Sequence, residues 1–234
     1  MIPKTIHYIW FGGDKNPIVL KAIKTWKKNA PDYEIKEWNE KDFSEEKNEF
    51  FRNALKNKDY AFASDYARLL ILKKYGGLYL DTDMYLLKNP TSKIAGRDLA
   101  FSIQDPQVIF STSFIAAKPE QEFIRKALAL YQKIEYVNGK MVPNTELLSP
   151  LLMSMYNFES LDKTQVRMND KIIAYNSNVF LQPSFSSVAM HVGEKSWGAH
   201  TKHDDIRIKM RQNITTSTEA GIFRIINDMC RRFI

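Results

Sequence analysis

The chain predicts an α/β fold, and three observations carry that reading. Short apolar runs alternate with helical patterns along its length, the ordering that builds a sheet covered by helices. Glycines punctuate the elements, closing the first apolar run at Phe11-Gly12-Gly13 and a helical pattern at Tyr75-Gly76-Gly77. Of 234 residues, 44% are hydrophobic and 26% charged, which argues against disorder and leaves enough chain for one large core.

Each element has its own signal. Ile6-His7-Tyr8-Ile9-Trp10 reads as the first strand, Ile18 to Lys28 as the first helix and Tyr33 to Trp38 as the second strand. Phe43 to Asn57 has a helical pattern, with Ser44 as its N-cap because Glu45 and Glu46 follow in the first turn. Tyr60 to Tyr75 gathers Phe62, Tyr66, Leu69, Leu70 and Leu72 on a broad apolar face. Gly76-Gly77 ends it, where a left-handed cap costs glycine least, and the strand Leu78-Tyr79-Leu80 follows directly. Leu99 to Ile103 and Val108 to Ala117 read as strands around an Asp105-Pro106 turn. Pro119 to Tyr136 reads as a helix with proline in its first turn, and Thr145 to Tyr156 as another that Pro150 either kinks or starts. Phe180 to Val192 is strand and loop ending at His191. From Asp204 the chain turns helical and basic, so residues 1–203 are expected to form the domain and 204–234 a helical extension of it.

Composition removes several function classes. The lone Cys230 rules out an intrachain disulfide and every cysteine-rich metal pattern. No apolar run reaches the roughly 20 residues that span a bilayer, and the N-terminus enters a strand without a signal-peptide core, so a cytoplasmic location is expected. The net charge of +7 suits an anionic ligand, an anionic membrane surface or nucleic acid without choosing among them. Phosphate-loop, dinucleotide, zinc-protease and nucleophile-elbow motifs are all missing from the sequence.

What remains is Asp81-Thr82-Asp83 at the end of a short apolar strand. Two carboxylates one residue apart on a rigid edge suit Mg²⁺ or Mn²⁺, whose other positions are filled by phosphate oxygens and water. Such a pair is equally common as a surface turn, so its neighbours must decide. On the preceding helix Asp65 and Arg68 lie three apart on one face, either as an ordinary ion pair or as a donor and acceptors offered to a polyhydroxylated ligand.

Taken in order, Ile6 to Gly13, Ala63-Ser64-Asp65-Tyr66-Ala67-Arg68 and Tyr75 to Asp83 resemble the signature of the DXD-motif sugar-region glycosyltransferases, glycosyltransferase family 32. That family includes capsular polysaccharide transferases, yeast mannosyltransferases and, distantly, the clostridial glucosylating toxins. The resemblance implies a GT-A type Rossmann-like nucleotide-sugar transferase domain acting with retention of configuration. It implies Mn²⁺ or Mg²⁺, a UDP-sugar donor and a saccharide or lipid-linked saccharide acceptor, with no nucleic acid partner. By the same resemblance Ile9 and Trp10 hold the nucleotide base, although Trp10 is equally a core residue at a strand end. Asp65 and Arg68 would contact donor-sugar hydroxyls and the diphosphate, Tyr79 would line the same pocket, Asp83 would ligate the metal, and Asp81 would act on ribose or through water.

Ala189 to Trp197 resembles the family's late segment, which makes His191 a metal ligand or diphosphate contact and gives the diphosphate Ser196 and Trp197. Relatives often carry a second histidine where Val192 stands, leaving Glu194 or His200 to complete the shell. Ser149 stands where relatives tend to have glycine before Pro150. No carboxylate nucleophile is identifiable, so front-face attack is the expected route to retention. In the tail, Ile222, Phe223, Ile225, Ile226, Met229, Phe233 and Ile234 alternate with Arg224, Arg231 and Arg232. This pattern is either a basic amphipathic helix for membrane-surface association or a helix docked on the domain or a second subunit. Two other classes stand behind the transferase. One is Asp-x-Asp phosphotransfer, disfavoured because Tyr85 occupies the place such sites give to threonine or valine. The other is a non-catalytic basic module binding an anionic polymer.

Overall fold

The computed structural model describes residues 1–104, 110–138, 140, 142–193 and 202–231, except for the side chains of 202–204 and 230–231. In chain order the elements are β1 (Thr5–Ile9), α1 (Pro17–Asn29), β2 (Glu34–Trp38), a 3₁₀ turn (Glu40–Phe43), α2 (Glu49–Lys56), α3 (Tyr60–Tyr75), β3 (Gly77–Leu80), β4 (Met84–Leu86), α4 (Thr91–Ile94), β5 (Leu99–Ser102) and β6 (Ser111–Ala117). They continue as α5 (Glu122–Leu130), α6 (Asn144–Tyr156), β7 (Gln165–Arg167), β8 (Ile172–Tyr175), α7 (Ser177–Phe180), β9 (Ala189–His191), α8 (Lys202–Gln212) and α9 (Ser217–Arg231).

Seven strands form one mixed sheet in the order β2-β1-β3-β6-β5-β8-β7, and β4 pairs with β9 in a separate two-stranded ribbon. β2, β1 and β3 run parallel, β6 lies antiparallel between β3 and β5, β5 and β8 run parallel, and β7 closes the edge antiparallel. Five of the seven strands therefore point one way, which puts the ends of β1 and β3 side by side at one edge of the molecule.

The sheet is covered on both faces, so its central strands are apolar throughout rather than alternating. One core joins Phe51, Tyr66, Leu69, Phe101, Phe123 and Leu152, bringing α2, α3, α5 and α6 onto that face. The second joins Ile6, Trp26, Leu78, Tyr85, Phe114 and Phe180, and takes in Ile208, Ala220 and Phe223 from the last two helices. Trp26 is fully buried, and its indole donates to the Met84 carbonyl at 2.7 Å, tying α1 to the ribbon.

The Gly76-Gly77 stop after α3 is built into the sheet. Gly76 has φ 63° and ψ −154°, and a Cβ there would fall 2.6 Å from Pro119 Cδ. His7 in β1 seals the same junction: Nε2 donates to the Gly76 carbonyl at 3.0 Å, while Nδ1 accepts from Trp38 Nε1 at 3.1 Å.

Several element boundaries differ from expectation for local reasons. The Phe43–Asn57 pattern divides, because Asn39 caps the 3₁₀ turn and Asn48 accepts from Phe51 N to start α2. Ser44 closes the turn instead of capping a helix. The helix expected from Pro119 begins at Glu122, since Glu120 adopts φ 55° and donates its N–H to Lys73 O at 2.8 Å. Pro150 sits inside α6 without ending it. Beside it the Ser149 hydroxyl accepts from Phe110 N at 3.1 Å, so its side chain is occupied in packing. Asp105, Pro106 and Val108 lie outside the described residues.

Candidate functional site

A cleft of about 1270 Å³ opens beyond the ends of β1 and β3. In α/β sheets, ligands bind outside the carboxyl ends of parallel strands, and β1 and β3 supply such ends here. Ile9 and Trp10 leave β1 on one side, and Asp81 and Asp83 leave β3 beside them. Ile9 is buried in the wall, whereas Trp10 is half-buried and lines the cleft with its indole N–H donated to Gly13 O at 2.8 Å.

Arg68 organises the floor. It and Asp65 project from α3 on the face turned to β6, and both are buried, with 4% and 5% exposed. Its guanidinium meets Asp65 Oδ1 at 2.9 Å and Asp81 Oδ1 at 3.1 Å. It also donates to Thr112 O, Ser64 O and Ser64 Oγ at 2.8, 3.1 and 2.9 Å. Three hydrogen bonds and two ion pairs thus hold the guanidinium within the protein. The pair is therefore more than an exposed intrahelical bridge: it joins the helix to the carboxylate strand end. Tyr79 lies under the same guanidinium, 4.6 Å from ring centroid to Cζ, and its hydroxyl donates to Asp81 Oδ1 at 2.9 Å.

Asp83 is met from the far end of the sequence. β4 and β9 pair Met84 with His191, and Val192 N donates to Asp83 O at 3.0 Å. That three-residue ladder brings His191 Nε2 within 3.1 Å of Asp83 Oδ2. Asp81, Asp83 and His191 each offer one ligand atom, all within 4.8 Å of one another.

The electrostatics favour added positive charge. Burial raises the Asp81 carboxyl above its ordinary value, with Arg68 opposing and the Asp83 charge adding to the rise. Burial pushes Asp65 up to about 7 against the pull of Arg68. Desolvation alone would lower His191, but the Asp83 and Asp81 carboxylates outweigh it and hold the ring above its ordinary value. A site that attracts a proton onto an imidazole between two carboxylates also fits a divalent cation. Two carboxylate oxygens and one imidazole make a donor set for Mn²⁺ or Mg²⁺ completed by phosphate oxygens and water.

Of the residues expected at the site, Ile9, Trp10, Asp65, Arg68, Tyr79, Asp81, Asp83 and His191 all border this one cleft. Ser196, Trp197, Glu194 and His200 lie outside the described residues. Sequence reasoning missed the opposite wall. Asn144 opens α6, is 3% exposed, and its backbone N–H supports the Asp65 carboxyl. Arg211 of α8 donates to His191 O and to Gln182 Oε1, both at 3.0 Å. The basic run of the last helices signalled charge but not its position.

Residues 18–100 match the family model of the glycosyltransferase sugar-binding region containing a DXD motif. That match takes in Asp65, Arg68, Tyr79, Asp81 and Asp83 and leaves Ile9, Trp10 and His191 outside it. An uncharacterized glycosyltransferase of Acanthamoeba polyphaga mimivirus is 34% identical over 102 residues, covering 38% of this chain and 38% of its own. The lactosylceramide 4-alpha-galactosyltransferase of Mus musculus is 31% identical over 103 residues, covering 43% of this chain and 27% of its own. The matched stretch thus spans well under half of either relative. Among solved structures, the PaToxG glycosyltransferase superposes with a TM-score of 0.51 at 23% identity, over 66% of this chain and 69% of that one. The glycosyltransferase GlyE of Streptococcus pneumoniae TIGR4 superposes with a TM-score of 0.50 at 9% identity, over 97% of this chain and 64% of that one. The fold is the GT-A glycosyltransferase fold.

Proposed function

We propose that the chain is a metal-dependent glycosyltransferase of family 32 that moves a sugar from a nucleotide-diphospho-sugar, a UDP-sugar by preference, to a saccharide or lipid-linked saccharide. The observation that carries this reading is the convergence of Asp81, Asp83 and His191 in one cleft with Trp10 and the Asp65–Arg68 pair. The cleft's volume exceeds the usual range for a single small ligand, so donor and acceptor fit together. Sugar transfer is supported by the DXD-region match and by the glycosyltransferase relatives.

The residues divide the work. Trp10 offers a ring face on which a nucleotide base can stack, worth about 1–3 kcal/mol and largely independent of base identity. Asp83 and His191 would hold the cation, with Asp81 beside them. A bound divalent cation stabilises the charge that grows on the departing nucleoside diphosphate. Arg68, held by its ion pairs and its hydrogen bonds to Thr112 and Ser64, positions the Asp65 and Asp81 carboxylates for this task. Asp65, beside Asn144, would accept hydrogen bonds from donor-sugar hydroxyls. The resemblance to family 32 favours retention of configuration and a role in bacterial surface or capsular polysaccharide synthesis. The mouse relative's name, a lactosylceramide galactosyltransferase, favours a saccharide acceptor.

Thermal unfolding with Mn²⁺ and a panel of UDP, GDP and their sugars tests the reading. A nucleotide at about 100 times its dissociation constant adds about 2.7 kcal/mol. The expected result is a raised midpoint that needs both metal and Asp83, and that Asp83→Ala abolishes. Stabilisation by no nucleotide, together with salt-sensitive binding of an anionic polymer, would replace the transferase with a basic binding module.

A further inference from the structure

The cleft runs on past Asp81 and Asp83 along the same sheet edge. β5 and β8 point the same way as β3, and Gln104 follows the first while Ser177 and Asn178 follow the second; all three line the cleft. In the strand order β8 stands three places from β3, about 14 Å away at the usual spacing of strands. This far lobe is walled by carboxamides, with Asn178 and Gln182 in and just after α7 and Asn227 on α9. Arginines fix how the first two amides point. Arg224 donates to Asn178 Oδ1, and Arg211 donates to Gln182 Oε1 at 3.0 Å. A guanidinium only donates, so each amide turns its oxygen to the arginine and its NH₂ is the end left for a ligand. Neither NH₂ has a protein acceptor among the described residues. The backbone is held as well: the buried Ser184 hydroxyl donates to Asn178 O, and the buried Ser187 hydroxyl to Gln182 O, both at 2.8 Å.

We infer that this lobe binds an uncharged saccharide through its ring hydroxyls. Two oriented NH₂ groups and the Asn227 amide suit hydroxyl oxygens, and the two held amides meet a ligand without first losing side-chain freedom. Charge selects against an acidic sugar. In the lobe the carboxylates of Asp162 and Asp228 stand against the one guanidinium of Arg224. Asp162 is met by Ser177 N and Oγ at 2.7 and 2.6 Å, and Asp228 by Arg224 at 3.7 Å, so no cation of the lobe awaits an anion. The arginines of α8 belong to the middle of the cleft: Arg211 also holds His191 O at 3.0 Å, and Arg207 stands one turn before it. A carboxylate or phosphate on the saccharide would therefore leave water to sit beside like charge. That the bound saccharide is the acceptor of a sugar rests on the transferase reading; its binding in the lobe does not.

Binding of the full chain to arrayed glycans at physiological salt, with Mn²⁺ and UDP present, tests the inference. Neutral glycans are expected to bind about tenfold or more tightly than the same glycans carrying a uronate or a sialic acid. The Asn178→Asp, Gln182→Glu double variant keeps an oxygen on each arginine and exchanges only the NH₂ groups for carboxylate oxygens, so its circular dichroism should match the wild type. It should lose about tenfold or more of the neutral-glycan binding, while stabilisation by Mn²⁺ and nucleotide persists. Acidic glycans bound as tightly as neutral ones, a variant that binds as the wild type does, or a wild type that binds no glycan each overturns the inference. Neutral-glycan binding with no stabilisation by any nucleotide would keep the lobe as assigned and remove the transferase reading alone.

Discussion

Single side chains decide which parts of this sequence are chemistry and which are scaffold, and His7 falls on the scaffold side. It stands in the Ile6-to-Gly13 segment that resembles a donor-binding signature, yet its ring faces the β1–β3 junction. Both nitrogens are engaged, Nε2 as donor and Nδ1 as acceptor from Trp38, so the neutral ring is the one that fits. Burial lowers its pKa from 6.5 to about 4, while the Gly76 carbonyl pulls the other way. The folded state therefore resists a proton that the unfolded chain accepts. Stability from this residue is complete above about pH 6.5, drains as pH falls toward 4, and is gone below it. Between pH 7.5 and 5 the loss is on the order of 2 kcal/mol. Urea unfolding of the wild type and His7→Gln at both pH values checks this. The variant should be less stable at pH 7.5, and the gap between the two proteins should narrow by about that amount at pH 5; a constant gap would show that His7 is not held neutral.

Elements were legible where local chemistry set them. The α3 to β3 passage follows from a broad apolar face and the glycine pair; α3 has the expected bounds, while β3 starts one residue early, at Gly77, and Gly76 takes φ 63° and ψ −154° instead of a left-handed helical cap. Gly76 gives that passage a measurable cost. Its backbone lies where side chains are rarely tolerated, and an added Cβ would meet Pro119 Cδ at 2.6 Å and Ala117 O at 2.8 Å. Gly76→Ala is expected to destabilise by about 3 kcal/mol or more, through strain plus a clash with backbone. Gly13→Ala, where a Cβ would meet nothing within 4 Å, should cost far less. A comparable drop in denaturation midpoint for both variants would refute the geometric account. The β4–β9 ribbon was not legible, because three residues on each side give no periodicity to read. His191 was placed at the site by resemblance alone; only the ribbon explains how it reaches Asp83. Asn144 was silent for a similar reason: its role depends on α6 arriving beside Asp65, a tertiary event that no local pattern records.

At the scale of the whole molecule, the cleft is assembled from segments that share no local sequence. Its carboxylate side comes from α3 and β3, inside the stretch that matches the sugar-binding region, and its other side from α6, β9, α8 and α9 beyond residue 100. Arg211 joins the two sides by holding the His191 backbone while His191 faces Asp83. A ligand that fills the cleft should therefore restrain both sides at once, although only the first lies within the stretch that matches the family model. Hydrogen exchange with and without Mn²⁺ and the stabilising nucleotide reads this directly, since amide protection follows local opening. The expected outcome is slowed exchange over residues 64–83 and, in the same complex, over 189–193 and 207–228. Protection confined to the first stretch would mean that the final helices pack against the domain without closing its site. Their arginines would then belong to the outer surface, and the donor would be held by the N-terminal half alone.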